Sequence, residues 1–581
     1  MIDVKEHFYS RFPQLAEGPG RVIGRPVVGL LRHMVGEEPL NRLLANLEGR
    51  VGFDYVNHAL TCLGARYRVA LTDLENIPAE GRLLIVSNHP LGAIDALALL
   101  QLVGSVRRDV KILANQVLMQ LRGLSPLLVP CDVFGGGGRQ VREAYRALAR
   151  EEALIVFPAG EVSRLSPSGV RDGRWSEGFL RFARKSGAAV LPIHIAARNS
   201  STFYGVSMLA KPLATLMLPR EMFGRERSDI TLTIGGTVGT EALFASDLDD
   251  RLVAQRMRAH VYRLGKRKPP VFATSSAIAR PESPAAVGSA LQLGRNLGQT
   301  GDGQQIILLD QTSDNAALRE IGRLRELTFR RVAEGTGLRR DLDRYDAWYR
   351  HVVLWDASAA TIAGAYRLGE ARRILSERGR DGLYSASLFE YSPRATQLLQ
   401  SAVELGRSFV HPDYQGGRSL DYLWRGIGAY LKANPEARYL IGPVSLSVSL
   451  GEVARSWIVH FHQHYYGDPL GLAIARNPYR VDPAVGQRAA ETWQGLDVRA
   501  GLVELKRQLA ALGASLPMLY KQYADVCEPD GVRFLAFGVD PAFGHCVDGL
   551  VCLDLTRIKS SKKGRYLAGA REPQPTTAGP V

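Results

Sequence analysis

A break in the hydrophobic pattern near the middle of the chain constrains its fold most. Residues 268–304 are rich in Ser, Ala, Pro and Gly and have no sustained helix or strand period, as expected for a flexible linker. A single hydrophobic core stops growing at about 250 to 300 residues, so a chain of 581 residues needs more than one. We therefore predict domains at residues 1–267 and 305–558, a linker at 268–304, and a disordered tail at 559–581, which is basic and then rich in Pro and Thr.

Short apolar runs that end in turn residues indicate the secondary structure on either side of this segment. Before it, residues 81–87, 153–158 and 189–195 have the length and composition of buried strands, and residues 141–152 have a helical pattern. After it, strands are expected at residues 306–310, 352–355, 361–367 and 439–444, with a charged helix at 316–334. These patterns predict an α/β domain followed by a mixed α/β domain.

The composition limits the class of protein without deciding its activity. Hydrophobic residues make up 46% of the chain and charged residues 23%, which is typical of folded globular proteins. The five cysteines have no paired spacing, and the stripe of His460, His462 and His464 has no Cys or acid beside it, so we expect neither disulfides nor a metal site. The net charge of +15 predicts a polyanionic partner, whether nucleic acid, an anionic lipid surface or an acidic carrier protein.

Export and membrane insertion are not expected. The first residues lack the basic and apolar segments of a secretory signal. The most apolar run, residues 91–106, contains Asp95 and is too short to span a bilayer. Few cysteines and no signal fit a reducing cytosol.

A polar cluster directly follows the first predicted strand. Asn88, His89 and Asp95 lie between this strand and an apolar helical run, and Pro90 and Gly92 favour a turn there. In a regular helix His89 and Asp95 would lie on different faces, whereas in an irregular turn they can meet. Asp95 would then orient the imidazole, whose other nitrogen would take a proton from a substrate hydroxyl. The alternative is structural, with both residues only capping the helix.

A second polar cluster ends the strand at residues 153–158. Glu161, Ser163 and Arg164 follow the turn that contains Gly160. A carboxylate, a hydroxyl and a guanidinium together are suited to bind a phosphate or another polar head group.

Residues 60–265 resemble the glycerolipid (lysophospholipid) acyltransferase family. The resemblance rests on the NHPxGxxD segment with His89 and Asp95, the FPxG segment with Arg164, and the strand with proline at 191–193. Five residues separate His from Asp, as in the hemolysin-like subgroup. The resemblance implies an O-acyltransferase in which His89 is the general base and Asp95 orients it. The residues it assigns to the substrate are Asn88, Phe157, Gly160, Glu161 and Arg164.

A turn rich in glycine and arginine follows an apolar strand in the second half. Gln415, Gly416, Gly417 and Arg418 precede a helical stretch at 420–431, and backbone amides at a helix N-terminus form an anion site. This segment resembles the N-acetyltransferase-like superfamily, whose members hold the phosphopantetheine of a thioester donor there. Together with residues 343–346, 351–356, 387–389, 404–407 and 442–445 it resembles the ornithine N-acyltransferases, and more distantly the acyl-homoserine-lactone synthases.

Two acids and two arginines are the candidate site residues of this second half. Glu404 and Asp346 are expected to act as base or to orient the amine, and Arg407 and Arg418 to bind the phosphopantetheine arm. The structural alternative is a strand-end carboxylate paired with an arginine such as Arg407.

The order of the two halves resembles the bifunctional ornithine-lipid synthases over nearly the whole chain. The resemblance implies that the second domain acylates the α-amine of ornithine or a related amino acid from 3-hydroxyacyl-acyl carrier protein, and that the first esterifies the 3-hydroxyl of the product. It also implies no tightly bound cofactor, an acyl-acyl carrier protein or acyl-CoA donor, no nucleic-acid partner, and a cytoplasmic protein peripheral on the inner face of the membrane.

Two other classes of function stay open. One is a phospholipid-remodelling acyltransferase whose second domain is not catalytic and recruits carrier protein or membrane. The other is a basic nucleic-acid-binding protein, which the lack of clustered basic and aromatic residues disfavours.

Overall fold

The computed structural model describes residues 3–12, 14, 21–114, 118–130, 138–167, 169–223, 230–246, 248–310 and 315–567, without the side chains of residues 7, 21–23 and 138–140. The chain divides into two compact units between Ala279 and Arg280. This division lies inside the segment predicted to separate two domains.

The first unit combines short strands with helices. Its strands are β1 (Tyr67–Val69), β2 (Leu83–Ser87), β3 (Val110–Ala114), β4 (Leu128–Pro130), β5 (Ala153–Val156), β6 (Arg164–Ser166), β7 (Gly169–Arg171), β8 (Ala189–Ala196) and β9 (Ile230–Ile234). Its helices are α1 (Val4–Arg11), α2 (Arg21–Val35), α3 (Glu37–Asn46), α4 (Phe53–Cys62), α5 (Leu71–Leu74), α6 (Ala93–Gly104), α7 (Gly138–Ala149), α8 (Gly178–Ser186), α9 (Ser201–Leu209), α10 (Lys211–Glu221), α11 (Thr240–Leu243) and α12 (Asp250–Leu264).

A mostly parallel sheet forms the centre of this unit. Within the described residues it has seven strands in the order β1-β9-β8-β2-β5-β3-β4. Strand β2 pairs in parallel with β5 and β8, and β8 pairs antiparallel with β9. Alternate residues of β2 enter two different hydrophobic clusters, Leu83 and Ile85 on one face and Leu84 and Val86 on the other. Such burial on both faces is typical of an α/β sheet.

The second unit has a different architecture. Its strands are β10 (Arg295–Gln299), β11 (Gln305–Leu309), β12 (Arg350–Asp356), β13 (Thr361–Glu370), β14 (Phe389–Tyr391), β15 (Ala402–Val410), β16 (Tyr439–Leu446), β17 (Ala473–Ala475), β18 (Val532–Asp540) and β19 (Cys546–Asp554). Its helices are α13 (Pro284–Leu291), α14 (Ala316–Arg330), α15 (Ala371–Arg378), α16 (Ser385–Leu388), α17 (Thr396–Gln400), α18 (Ser419–Ala433), α19 (Glu452–Tyr466), α20 (Pro483–Trp493), α21 (Val498–Ala511), α22 (Met518–Val526) and α23 (Ser560–Tyr566).

The main sheet of the second unit is mixed. In the part of the chain described, its eight strands follow the order β10-β11-β12-β13-β15-β16-β19-β18. Neighbouring strands are antiparallel except β15 and β16, which are parallel. The predicted fold class, an α/β domain followed by a mixed α/β domain, is confirmed.

The prediction of a flexible linker at 268–304 is wrong for part of that segment. Residues 284–291 form α13 and residues 295–299 form β10, which pairs antiparallel with β11. The many small residues of α13 suggest a linker. Val287 and Leu291, one helical turn apart, nevertheless pack in a cluster with Ile307 and Trp355, and this burial fixes the helix.

The predicted disordered tail is also partly ordered. Residues 560–566 form α23, and the Tyr566 ring is buried with its centroid 5.8 Å from that of Trp424. The tail prediction is therefore wrong for these residues, because one aromatic residue fixes the basic helix to the core. Residues 568–581 lie outside the described residues.

The described residues hold no group of three or more His, Cys, Asp or Glu side chains placed to bind a metal ion. His460, His462 and His464 belong to α19, where His462 is buried and contacts the Ile458 carbonyl oxygen. None of the described helices is both long enough and apolar enough to cross a bilayer.

Candidate functional site

The first candidate site lies where two neighbouring strands end. Val86 of β2 is paired with Val156 of β5, so the segments that follow both strands leave the same edge of the sheet. His89 and Phe157 therefore meet, and their rings stack with centroids 3.9 Å apart. The carboxyl edge of a parallel sheet is the usual place for a binding site.

The contact between His89 and Asp95 predicted from the turn is present. The His89 Nδ1 atom lies 3.1 Å from Asp95 Oδ2, with 17% of the histidine side chain exposed and none of the aspartate. Gly92 has φ of +84° and ends the turn before α6, which brings Asp95 back to the ring. The Nδ1–Oδ2 line does not meet hydrogen-bond geometry, so a small rotation of the ring is needed to align the bond.

Asp95 is fixed by the turn that it closes. Its Oδ2 atom accepts hydrogen bonds from the backbone amides of Leu91 and Gly92, at 2.7 and 3.1 Å. Burial raises the pKa of Asp95 above its ordinary value, while His89 and the two amides oppose this shift. The carboxylate thus both caps α6 and contacts the imidazole, which combines the two alternatives that the sequence left open.

Asp172 supports this site, and the sequence analysis did not identify it. Its Oδ1 atom accepts from the His89 backbone amide at 3.1 Å and from the Ser163 hydroxyl at 2.5 Å, and its Oδ2 accepts from Trp175 Nε1 at 2.8 Å. Ser163 N also donates to the His89 carbonyl oxygen. Asp172 therefore fixes the histidine loop to the FPxG segment. Its only sequence signal was a lone acid in the DGRW stretch.

The side chains predicted to bind the substrate have different environments. Both polar atoms of the Asn88 amide bond to the Ile195 backbone at 2.8 Å, and the side chain is buried. The amide thus joins β2 to β8, and the contact of Asn88 with substrate stays a prediction. Gly160, with φ of +67°, and Glu161 are exposed beside the site.

Arg164 contacts the two helices that follow β8, α9 and α10. It donates to the Ser207 hydroxyl at 3.0 Å and to the Thr215 hydroxyl at 3.1 Å, and its guanidinium lies over the Phe203 ring. No carboxylate of the described residues forms an ion pair with it. A cation held by hydroxyls is suited to an anionic or strongly polar ligand.

The second candidate site lies where β15 and β16 separate. These strands pair only over Ala402–Glu404 and Tyr439–Ile441. Beyond Glu404, β15 continues along β13 and β16 along β19. The open angle leaves backbone groups of both strands free to contact an extended ligand.

Glu404 is buried at this point of separation. Its Oε2 atom accepts from the Tyr349 hydroxyl at 2.5 Å and its Oε1 from the Ser385 backbone amide at 2.6 Å. The Tyr349 oxygen also accepts from the Tyr384 amide at 3.0 Å. Burial raises the pKa of Glu404, against the effect of these hydrogen bonds. Glu404 does not form the ion pair with Arg407 that the structural alternative proposed, since its partners are Tyr349 and the Ser385 amide.

Asp346 belongs to a buried ion cluster. Its carboxylate accepts from Arg325 at 2.9 Å and from Arg367 at 3.3 Å, and lies 3.1 Å from His351 Nε2. Burial acts to raise the pKa of Asp346, but the two arginines hold it well below its usual value. Asp346 is thus a charged anchor whose partners are other side chains.

Arg407 points into the unit because of a bulge in β15. The register slips between Ala365 and Arg367 of β13, and Arg407 has φ of +48°. Its guanidinium donates to the Tyr384 hydroxyl at 2.9 Å and lies 3.1 Å from an Asp341 oxygen. Arg407 is held in this buried contact, and the role on the donor arm that it was predicted to share with Arg418 stays a prediction.

The predicted donor turn is exposed. Gln415, Gly416, Gly417 and Arg418 are all accessible, Gly416 has φ of +79°, and α18 begins at the next residue. Gln415 donates to the Val410 carbonyl oxygen at 3.2 Å. No hydrogen bond between described residues joins this turn to Glu404 or Asp346.

Three carboxylates near Arg407 have no ion-pair partner among the described residues. They are Glu334, Asp540 and Asp548. Burial and the charges of Asp540 and Glu334 raise the pKa of Asp548 to about 7, and burial raises that of Glu334 to about 7. Arg407 is a cation that lowers both. The sequence analysis did not find this group, because Glu334 is more than 200 positions away from Asp540 and Asp548.

Comparisons with known proteins agree with this division of the chain. Residues 15–264 match the acyltransferase family model, and residues 324–425 match the model of the acetyltransferase (GNAT) domain. A lyso-glycine lipid O-acyltransferase of Phocaeicola vulgatus is 34% identical over 223 residues, which are 37% of this chain and 79% of the relative.

Two N-acyltransferases match the second half. A glycine N(alpha)-acyltransferase of Bacteroides thetaiotaomicron is 28% identical over 316 residues, covering 51% of this chain and 91% of the relative. An L-ornithine N(alpha)-acyltransferase of Rhodobacter capsulatus is 29% identical over 203 residues, covering 33% and 76%.

Fold and comparisons together define a two-domain acyl-transferring enzyme. The chain belongs to the acyltransferase family and carries a second, GNAT domain, so it combines an O-acyltransferase with an N-acyltransferase in the order expected of the bifunctional ornithine-lipid synthases.

Proposed function

We propose that this enzyme makes an amino-acid lipid in two steps. The second unit acylates the α-amine of ornithine, or of a closely related cationic amino acid, with a 3-hydroxyacyl group. The first unit then esterifies the 3-hydroxyl of this lyso-lipid with a second acyl chain. Both steps draw the acyl group from a thioester and use no tightly bound cofactor.

His89 is the general base of the ester-forming step. Its Nε2 takes the proton of the 3-hydroxyl as the oxygen attacks the thioester carbonyl carbon. The new C–O bond replaces the C–S bond, and the thiol leaves with a proton. Asp95, 3.1 Å from Nδ1, stabilises the charged imidazolium and keeps the ring in one orientation.

Glu404 serves the amide-forming step through Tyr349. The neutral amine nitrogen attacks the thioester carbonyl carbon, a C–N bond replaces the C–S bond, and the sulfur leaves as a thiolate. The proton that the amine loses passes through the Tyr349 hydroxyl to the carboxylate 2.5 Å away, which returns it to the thiolate. The raised pKa of Glu404 makes this carboxylate a better proton acceptor than an exposed one. Asp346 and its arginines hold the surrounding elements in place.

Carboxylates without partners support a cationic acceptor. Relatives of the second unit act on glycine or on ornithine by name, and these amino acids differ in the charged side chain of ornithine. Glu334, Asp540 and Asp548 form no ion pair with a described residue, so the charge of Arg407 offsets their negative charge only in part. An ammonium group on the substrate would compensate this charge, whereas glycine would leave it uncompensated.

The donor is proposed to be an acyl-acyl carrier protein, with acyl-CoA as the other candidate for the ester step. The exposed turn from Gln415 to Arg418 offers backbone amides and a guanidinium to the phosphate of the donor arm. We place the protein in the cytoplasm, on the inner face of the membrane, because its net charge of +15 complements both acidic carrier protein and anionic lipid.

The observation that carries the proposal is the contact between the partly exposed His89 and the buried Asp95 at the edge of the sheet. This pair can activate a substrate hydroxyl directly, without a serine nucleophile. The test is to express the chain in a host without amino-acid lipids and to identify new lipids by mass spectrometry. We expect a diacylated ornithine-type lipid. A host whose phospholipid chains change while no amino-acid lipid forms would contradict the proposal and favour phospholipid remodelling.

A further inference from the structure

The helical hairpin beside the first site has an unusual surface. Helices α9 and α10 meet at Ala210. Near this junction Met208 and Leu209 are 72% and 91% exposed, and Leu213 and Leu216, one turn apart on α10, are 44% and 41% exposed. Four large apolar side chains within nine residues are thus exposed, which water disfavours; we call them the apolar patch.

The opposite face of the hairpin is firmly packed. Phe203, Ala214 and Met217 are buried in a cluster with Val162 of the FPxG segment. Arg164 bonds to one hydroxyl on each helix, Ser207 and Thr215. The exposed apolar side chains therefore belong to a hairpin whose opposite face is fixed by packing and hydrogen bonds, and not to a loosely folded segment.

The hairpin is connected to the catalytic turn. Asn199, which precedes α9, donates to the Pro90 carbonyl oxygen at 2.9 Å. Leu218 and Val162 lie against Gly92, the residue that closes the turn between His89 and Asp95. The end of the hairpin opposite its tip thus packs against the turn of the ester-forming site.

One exposed cation lies beside the apolar patch, and two more lie at the other end of the hairpin. Lys211 begins α10, Arg198 precedes the hairpin and Arg220 lies near its end, and none of the three forms an ion pair with a described residue. The acid Glu221 is occupied by the backbone amide and hydroxyl of Ser200. Apolar side chains with unpaired cations fit an anionic bilayer surface, where the apolar groups enter the acyl region and the cations meet head groups.

We infer that the α9–α10 hairpin is the membrane-docking element of this enzyme, which inserts Met208, Leu209, Leu213 and Leu216 into an anionic lipid surface. The inference rests on the proposed function in that the acceptor is a lipid. A docked hairpin sets the His89 turn close to the head-group level, so the 3-hydroxyl of a lyso-lipid reaches the base without leaving the membrane.

The test is sedimentation of the full chain with vesicles of phosphatidylglycerol and phosphatidylcholine, without substrates. The double variant Met208→Ser/Leu209→Ser should bind at least roughly tenfold more weakly. The matched control Leu71→Ser/Leu252→Ser removes exposed apolar side chains outside the hairpin and should bind as the wild type. In a Leu209→Trp variant, the fluorescence should shift to the blue and be quenched by lipid-borne quenchers.

Each other outcome would overturn the inference. Three of them concern lipid: unchanged vesicle binding by the hairpin variant, no vesicle binding by the wild type, and no change in Leu209→Trp fluorescence. The fourth is the loss of a self-associated form in the hairpin variant without lipid, which would make the patch an interface between copies of the chain. Ester formation on detergent-dispersed lyso-lipid should persist in the hairpin variant. If the wild type lacks that activity, the proposed function fails, whatever the vesicles show.

Discussion

At the scale of single residues, the two sites use carboxylates in different ways. Asp95 is buried and held by two backbone amides while it contacts His89. Glu404 is buried and held by a tyrosine and one amide. In the proposed mechanism the first arrangement orients a base, and the second accepts a proton itself.

Removal of the base should separate the two activities. His89→Ala is expected to lower the rate of ester formation by roughly 10³-fold, and Asp95→Asn by roughly ten- to hundredfold because it misorients the ring without removing it. Amide formation should stay at the wild-type rate. The measurement is product formation from purified lyso-lipid, with the exposed His33→Ala as control. Equal losses in both reactions would indicate misfolding, and an unchanged ester rate would remove His89 from the mechanism.

Acceptor choice should depend on pH through Asp548 and Glu334. With pKa values of about 7, both are largely neutral below pH 7 and negatively charged above it. The ratio of kcat/KM for ornithine to that for glycine should therefore rise between pH 6 and 8, since deprotonation of the α-amine affects both substrates. Asp548→Asn should lower the ratio roughly tenfold, the equivalent of about 1.4 kcal/mol. The exposed Glu390→Gln should not change it, and a ratio independent of pH in the wild type would contradict a cationic pocket.

At the scale of elements, close approaches of backbone fix where helices and strands meet. Gly428 of α18 lies against the Tyr566 carbonyl group of α23. Gly442 of β16 lies against the Leu405 carbonyl group at the point where β15 and β16 separate. A Cβ atom at either position would collide with that carbonyl oxygen.

Substitution of Gly428 should show that α23 is part of the second unit. Gly428→Ala places a methyl group on the Tyr566 carbonyl and should cost roughly 1–3 kcal/mol of unfolding free energy, as overpacking usually does. The matched variant is Gly564→Ala on α23, where nothing lies within 4 Å, and it should be neutral or slightly stabilising. Urea unfolding of both variants provides the measurement. If both behave alike, α23 does not pack as described.

The sequence predicted those elements whose cause is local. Pro90 and Gly92 predict the turn that joins His89 to Asp95, and the apolar runs of β2, β5 and β8 predict the strands of the sheet. Asp172 was missed because its partner His89 is 83 positions away, and the buried position of Arg407 was not predicted because a bulge in β15 turns its side chain inward. Helix α13 was not predicted because most of its residues are small. Its apolar Val287 and Leu291 are buried against Ile307 and Trp355, and the sequence alone does not show that contact.

At the scale of the whole molecule, acid should destabilise the folded chain through buried imidazoles. Burial lowers the pKa of His462 from 6.5 to about 4, so between these values the unfolded chain takes up a proton that the folded chain does not. Stability is therefore lost as the pH falls below 6.5, by about 2 kcal/mol at pH 5.

His462→Phe should remove this part of the pH dependence. The ring sits among Tyr466, Tyr520 and Phe534, where an aromatic replacement can pack. The exposed His464→Phe on the same helix is the matched control and should keep the wild-type pH profile. Unfolding free energies at pH 7 and pH 5 test this, and an identical loss in His462→Phe and wild type would show that other groups cause it.

The central claim is that one chain holds two independent acyl-transferring sites acting in sequence. The most direct measurement mixes two variants that each lack one activity, His89→Ala and Glu404→Gln, with ornithine, 3-hydroxyacyl-acyl carrier protein and a second acyl donor. His89→Ala alone should accumulate the monoacyl amide, Glu404→Gln alone should form little of either product, and the mixture should restore the diacyl lipid. Diacyl lipid from His89→Ala alone, or no diacyl lipid from the mixture of two folded variants, would contradict the account.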